Sequence, residues 1–406
     1  MEKILPYLKK HQKKGECIPE ETIKIISSQI KIPAHQIYKK ICYHSPVKED
    51  HYQIVKRILT EKKKHIIVET APSTRVSIGE EFGLKPGTIV MGKMVAALRQ
   101  CGFNKIFDTN LGADIMVMEE ASELLERIKN NGPFPMITTC CPAWVRFMEH
   151  FYHKLIPNMS TCKSPHEMLG FLTKSYYAKK YNINPKNIVM VSIMPCTAKR
   201  FESQRPELKS GVDYVLTTRE AAKLIKEFKI NFKSLPKDTA YDPALGISTG
   251  AAAIFAATGG VMEAIIRTAH ELSTKKPIKS LGFEEIRGSK GIKKGIIEIN
   301  GIKLKCAAAN GLVNARRLLK KYKKYHFIEI MACPGGCIGG GGQPLPYRIE
   351  KIKSRINALY QQDINLPIRR SDKNPLVKKI YKEFLGKPLS KQSKKLLHTF
   401  YYKRKF

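Results

Sequence analysis

The sequence has no run of apolar residues approaching the roughly 18 to 20 that a membrane-spanning helix needs, and its start, MEKILPYLKKHQKK, holds no apolar signal core. A membrane bundle and a secreted protein are therefore not expected, and the chain is assigned to the cytoplasm. Low-complexity linkers and internal repeats are also missing. Acidic residues are scarce, 35 Asp+Glu against 72 Lys+Arg, which leaves a formal net charge of +37. What remains, 406 residues with 43% hydrophobic and 26% charged positions, is the composition of a globular protein long enough for two or more packed lobes.

The basic excess is spread as KK and KKK pairs along most of the chain and forms no single basic helix or aromatic-interleaved patch. A nucleic-acid partner is not expected on charge alone. A soluble acidic protein is the better match to such a surface. The densest run is the tail from Arg369 to Phe406, with thirteen basic and two acidic residues.

From about Lys64 to Cys333, short β-branched runs alternate with longer amphipathic segments, which predicts an α/β fold with mainly parallel twisted sheets flanked by helices. Strands are expected at 65–70, 105–109, 136–139, 188–194, 214–217 and 327–331, and a hairpin around Asn300-Gly301, a pair that suits a tight turn. Helices are expected over Glu119 to Lys129 and, rich in small residues, over Gly250 to Leu272. The chain divides into a helical segment over 1–50, a first lobe over 64–200, a second over 201–345 and a basic helical tail over 346–406.

Ten cysteines in a cytoplasmic chain suggest reduced thiols or metal ligands before disulfides. Five cluster in TTCCPAW (Thr138 to Trp144), MPCTAKR (Met194 to Arg200) and MACPGGCIGGGGQP (Met331 to Pro344), each at the end of an expected strand. Open α/β sheets place their sites there. A proline beside one cysteine of each segment (Cys141, Cys196 and Cys333) removes a backbone donor and fixes φ, and the run Gly339 to Gly342 suits close approach to a bulky group. Cys141, Cys196, Cys333 and Cys337 would make a four-thiolate site for zinc or an iron–sulfur cubane. The single CxxxC pair, the fifth cysteine and the glycine run favour the cubane. Cys17, Cys42, Cys101, Cys162 and Cys306 show no ligand spacing and read as small buried hydrophobes.

The three segments, in this order, resemble the signature motifs of the iron-only (FeFe) hydrogenases, and the similarity runs from about His65 to Pro344 through TAPSTRVSIGEEFG, FDTNLGADIMVMEEASEL, CKSPHEMLG and TGGVMEAIIRTAHEL. The tail resembles the small-subunit segment that the family carries fused or as a separate chain. The resemblance implies an H-cluster lying in the crevice between the lobes: a 4Fe-4S cubane held by Cys141, Cys196, Cys333 and Cys337, and joined through Cys337 to a diiron unit with CO, cyanide and azadithiolate ligands. It also implies a proton-donating thiol at Cys140, reached from the surface through Arg127, Glu123, Ser160 and Glu120, and a lysine, Lys199, that binds a cyanide. Pro72, Ser73, Pro165, His166, Met194 and Met331 would line the pocket. By themselves, Glu120 and Glu123 read as a solvated helix face and the two methionines as core filler.

The implied activity is reversible formation of dihydrogen from two protons and two electrons. Ferredoxin or a similar acidic carrier would supply the electrons, and hydrogenase maturation proteins and redox partner subunits are the other expected partners. CxxC-rich relay modules, and so accessory clusters, are not expected. The rival readings are a non-catalytic iron–sulfur assembly relative, expected to lack the proton thiol, and a hydrogen sensor. The chain departs from the usual family pattern at His166, where glutamine is common, and at Ala253 and Ala256, where glycine is. Residues 1–50 resemble the helical start of the NADH-dehydrogenase 24 kDa subunit, which implies a docking remnant; a generic helical cap is the alternative.

Overall fold

The computed structural model describes residues 4, 6–7, 20–34, 36–37, 50–276, 291–299 and 301–404. Among them are eight strands: β1 (His65–Thr70), β2 (Lys105–Asp108), β3 (Met136–Ile137), β4 (Ile188–Met194), β5 (Tyr214–Thr217), β6 (Ile292–Ile299), β7 (Ile302–Asn310) and β8 (Phe327–Met331). They form two four-stranded sheets, ordered β2-β1-β4-β5 and β3-β8-β7-β6. The first is wholly parallel and the second is parallel except for the β6–β7 hairpin. Helices cover both faces of such a sheet, so β1 and β4 read as near-continuous apolar runs and are buried along almost their whole length.

Every expected strand is present, with two ends trimmed. Thr109 begins a helix instead of ending β2, because Asp108 caps it by accepting the Asn110 N–H at 3.0 Å. β3 stops at Ile137, and Thr138 to Cys141 turn toward the crevice. Asn300 of the expected turn lies outside the described residues; Gly301 has a positive φ of 79°.

The lobe boundary at residue 200 does not follow the sheets. β3, from the first expected lobe, pairs with β8 of the second, whereas β5 pairs back with β4. Parallel pairing needs long crossovers, so neighbours in a sheet are drawn from distant stretches of chain.

The helices that position the site are α1 (Thr109–Lys129), α2 (Pro142–Phe151), α3 (Pro165–Leu172), α4 (Gly260–Thr274), α5 (Ile349–Asn365), α6 (Pro375–Ile380) and α7 (Lys391–Leu397). The helix expected from Gly250 to Leu272 is broken: Gly250–Ala253 is one turn, Ile254–Ala256 is a 3-10 turn, and α4 starts afresh after Gly259. The cause is tertiary. Ala257 bridges to Gly336, and the Glu329 carboxylate accepts the N–H groups of Gly259 at 2.6 Å and Met262 at 2.7 Å, starting the new helix there.

The tail is clamped to α1 by two buried acids. Asp114 accepts from Thr249 at 2.6 Å, Ser371 at 2.7 Å and Asn374 at 2.9 Å. Glu119 accepts from Tyr381 at 2.6 Å, the Leu389 N–H at 2.8 Å and Ser393, with His398 Nε2 at 3.0 Å. Burial acts upward on the Glu119 carboxyl, but His398, Ser393, Tyr381 and Leu389 together hold it below its ordinary value. Of residues 1–50, the described part includes a helix, Glu20–Ile30, whose Ile23 and Ile26 are buried; Cys17 and Cys42 lie outside the described residues.

Candidate functional site

Five strand ends converge on one crevice. Pro72 and Ser73 follow β1, Thr109 follows β2, Cys140 and Cys141 follow β3, Cys196 follows β4, and Cys333 and Cys337 follow β8. Because β3 and β8 are paired neighbours, the loops carrying Cys141 and Cys333 leave the same sheet side by side, while Cys196 arrives from the other sheet. The crevice holds two adjoining cavities. One, with about 360 Å³ of empty space, is lined by Cys141, Cys196, Cys333 and Cys337. The other, with about 480 Å³, is lined by Pro72, Ser73, Pro165, His166, Met194 and Met331. Cys337 is the one cysteine of the four-thiolate set that faces both, and Cys140 and Lys199 stand with it between them.

The thiols' spacing suits a cubane better than zinc. A tetrahedral zinc, with bonds of about 2.3 Å, draws its four sulfurs to within about 3.8 Å of one another. No three of these four sulfurs lie within 4.8 Å of one another. Burial, acting first, raises the Cys141 thiol, and the N–H groups of Ala332 and Trp144 oppose it by hydrogen bonding to its sulfur. Cys196 is likewise pushed up to about 11 by burial, against N–H donors from Lys199 and Ala198. Such donors also stabilise a metal-bound thiolate.

Gly340 of the glycine run lines the four-cysteine cavity, and the run also brings two loops together. A Cβ on Gly340 or Gly342 would lie 2.5 or 2.8 Å from the Pro195 carbonyl oxygen, and the Gly342 N–H donates to that oxygen at 2.6 Å. The glycines therefore let the β8 loop lie flat on the β4 loop, locking two cysteine-bearing loops together. Arg355 of α5 holds the same loop from behind, donating to the Ile338 carbonyl at 2.9 Å while pairing with Glu80 at 2.7 Å.

Lys199 is buried; its Nζ donates to the Cys140 carbonyl at 3.1 Å and to Glu202 Oε2 at 2.7 Å. The sequence reading paired Lys199 with an anionic cluster alone, and it missed Glu202. The acid three residues after Lys199, on the same short helix Ala198–Ser203, was the available signal. Glu69, Ser192, Thr109 and Phe255 were missed as well. Ala256 lines the second cavity beside Phe255, whereas Ala253 is buried in the preceding turn.

A second chain of polar groups leads outward along α1. Cys140 is buried, and burial, then the charges of Cys337 and Glu120, hold its thiol well above the ordinary value. Glu120 is fully buried, and desolvation pushes its carboxyl up to about 8, with the neighbouring Ser160 acting the other way. Ser160 Oγ donates to Glu123 at 3.0 Å, and Arg127 pairs with Glu123 at 2.6 Å. Glu123 and Arg127 then line an open surface pocket with Glu126 and, from the tail, Leu389 and Lys394. The solvated helix face expected of the two glutamates is thus replaced by a buried polar row. Cys101, Cys162 and Cys306 are buried.

Residues 64–341 match the family described as iron only hydrogenase large subunit, C-terminal domain, and residues 349–404 match the iron hydrogenase small subunit. The NADP-reducing hydrogenase subunit HndD of Solidesulfovibrio fructosivorans is 46% identical over 88% of this chain and 63% of its own length. Iron hydrogenase 1 of Clostridium pasteurianum is 47% identical over 88% of this chain and 64% of its own length. The chain thus spans less than two thirds of either relative. Among solved structures, a variant of the apo FeFe-hydrogenase HydA1 from Chlamydomonas reinhardtii superposes with a TM-score of 0.78 at 40% identity, covering 87% of this chain and 99% of that one. With its signature cysteines gathered around one cavity, and a family match over most of its length, the chain belongs to the iron-only hydrogenases.

Proposed function

We propose that this chain catalyses the reversible reaction of two protons and two electrons to dihydrogen. The family carries an iron–sulfur-containing H-cluster and, with the small-subunit match, has redox and maturation partners in general. The observation that carries the reading is the position of Cys337, which alone among the four ligand cysteines faces both cavities. Cys141, Cys196, Cys333 and Cys337 would hold the cubane, and Cys337 would share its sulfur with a diiron unit in the second cavity. When bound, the cofactor supplies the metal at which protons and electrons combine.

The protein's own part is to deliver protons and exclude water. A proton taken up at Glu123, in the open pocket, passes by way of the Ser160 hydroxyl to the Glu120 carboxyl, and from there to Cys140 Sγ. Arg127 holds Glu123 in line. Glu120, being protonated at neutral pH, can give a proton inward before taking one from outside, which suits a relay that runs in both directions. Cys140 then offers an S–H to the cavity. Lys199 would meet a cyanide ligand with a buried ammonium, while Pro72, Ser73, Pro165, His166, Met194 and Met331 enclose the unit. The retained Cys140 tells against the non-catalytic assembly reading.

Infrared spectroscopy of the matured protein tests this directly: CO and cyanide stretching bands should appear, with about six irons per chain, four for the cubane and two for the diiron unit. Absence of those bands from iron-replete, matured protein would overturn the assignment; about ten or more irons would show accessory clusters.

The electron donor we propose is an acidic ferredoxin, supported by the net charge of +37. Long-range attraction raises encounter rates and is screened over roughly 10 Å at 0.1 M salt. Turnover with reduced acidic ferredoxin should fall steeply as salt rises, while turnover with a small neutral dye should barely change; an equal response of both donors would remove the docking claim. No helix among the described residues is long and apolar enough to cross a membrane. We place the chain in the cytoplasm, where ten cysteines are kept as thiols or metal ligands in preference to disulfides.

A further inference from the structure

Glu202 Oε2 receives two donors at once, Lys199 Nζ at 2.7 Å and His166 Nε2 at 2.7 Å. All three side chains are buried; His166 and Lys199 line the second cavity, and Glu202 bridges them from behind. The other imidazole nitrogen, Nδ1, lies 3.2 Å from Ser192 Oγ. Ser192 in turn is within hydrogen-bonding reach of Glu69, which accepts from Thr109 Oγ1 at 2.9 Å. One assignment satisfies both ring nitrogens with a neutral ring: the Ser192 hydroxyl donates to Nδ1, and Nε2–H donates to Glu202. Glu167 Oε1, 3.5 Å from Nε2, is the other carboxylate facing the ring, and it is too far for a good hydrogen bond.

A carboxylate oxygen shared by two donors binds each less tightly than it would bind one alone. Without the imidazole, Lys199 would be left as the donor to that oxygen, and the ammonium would be drawn back from the cavity. With it, part of the negative charge is already engaged, and the ammonium stays available to an anion in front of it. We propose that His166 is a positioning residue that competes with Lys199 for Glu202 and so sets how strongly Lys199 engages an anionic ligand of the diiron unit. This rests on the proposed function, which puts a cyanide before Lys199.

The test is the frequency of the cyanide stretch in matured protein, since donation to a metal-bound cyanide nitrogen raises it. His166→Ala should lower the cyanide bands. Glu202→Gln should raise them, because it releases Lys199 toward the cavity. His166→Gln, which keeps an N–H donor of similar reach, should restore the parent position. A purely structural role for His166 would give no opposed pair of shifts. Unchanged cyanide bands in His166→Ala, or shifts of the same sign in His166→Ala and Glu202→Gln, overturn the proposal. If His166→Ala fails to take up the cofactor, Glu202→Gln decides alone, and the absence of a rise overturns it. A parent spectrum without CO and cyanide bands would instead sink the proposed function itself.

Discussion

Replacing Cys140 with alanine should leave the cubane and diiron spectra of the matured protein in place and lower hydrogen turnover by roughly 10²- to 10⁴-fold, the usual worth of a positioned proton donor. Its neighbour should behave in the opposite way: Cys141→Ala should lose the cubane. Cys140 faces both cavities and also feels the charge of Glu120. Alanine removes a dissociable proton at a buried point where water has little access. Hydrogen evolution and infrared spectra, measured on the same preparations, decide the matter. If Cys140→Ala turned over like the parent, the proton would be entering by another way.

Glu120→Gln should slow turnover by roughly 10²-fold or more while making the apo-protein more stable at alkaline pH. The Glu120 carboxyl has an ordinary value of 4.5, raised to about 8 in the folded chain, chiefly by burial. Between those two values the native state holds a proton that the unfolded chain has released, so native stability falls as pH rises through that window. Glutamine removes the dependence. At 1.36 kcal/mol per pKa unit, the variant's advantage should be small near pH 5 and on the order of 3 kcal/mol at about pH 8. Denaturant unfolding at the two pH values measures it. An advantage that did not grow with pH would mean that Glu120 is already ionised in the fold, and a relay that needs it protonated would fail. The expected result would pair a cost in stability with a gain in activity, as functional sites often do.

The strands were legible because parallel strands buried on both faces write themselves as short β-branched runs, as HIIVET and IVMVSIM do. The cysteine loops were legible because ligands, prolines and glycines sit close together in sequence. The polar network around the second cavity was not. Glu202 meets His166 across 36 positions, and Glu119 meets Tyr381 across 262, so neither contact leaves a period or a spacing to read. The surroundings of Glu123 were hidden for a related reason: they include the tail, from a separate part of the chain. The break before α4 is imposed by Glu329, 70 positions from Gly259, although Gly259 itself, with a φ of 93°, marked where a helix could most easily stop.

The interleaving of the two sheets bears on the order in which a growing chain can become competent. Sheet β3-β8-β7-β6 cannot be closed until β8 exists, and β3, made nearly two hundred residues earlier, must wait for that partner. By the time Met194 has left the ribosome, the β2-β1-β4 core can pair, yet only Cys141 and then Cys196 are at hand. Cys333 and Cys337 follow β8 and are synthesised last of the four. A nascent or truncated chain therefore presents two thiols but no four-thiolate nest, and capture of a cubane becomes possible only once the second sheet has its central strand. If these four cysteines hold a cubane, its loading would have to wait for synthesis through Cys337, a delay set by the order of the strands.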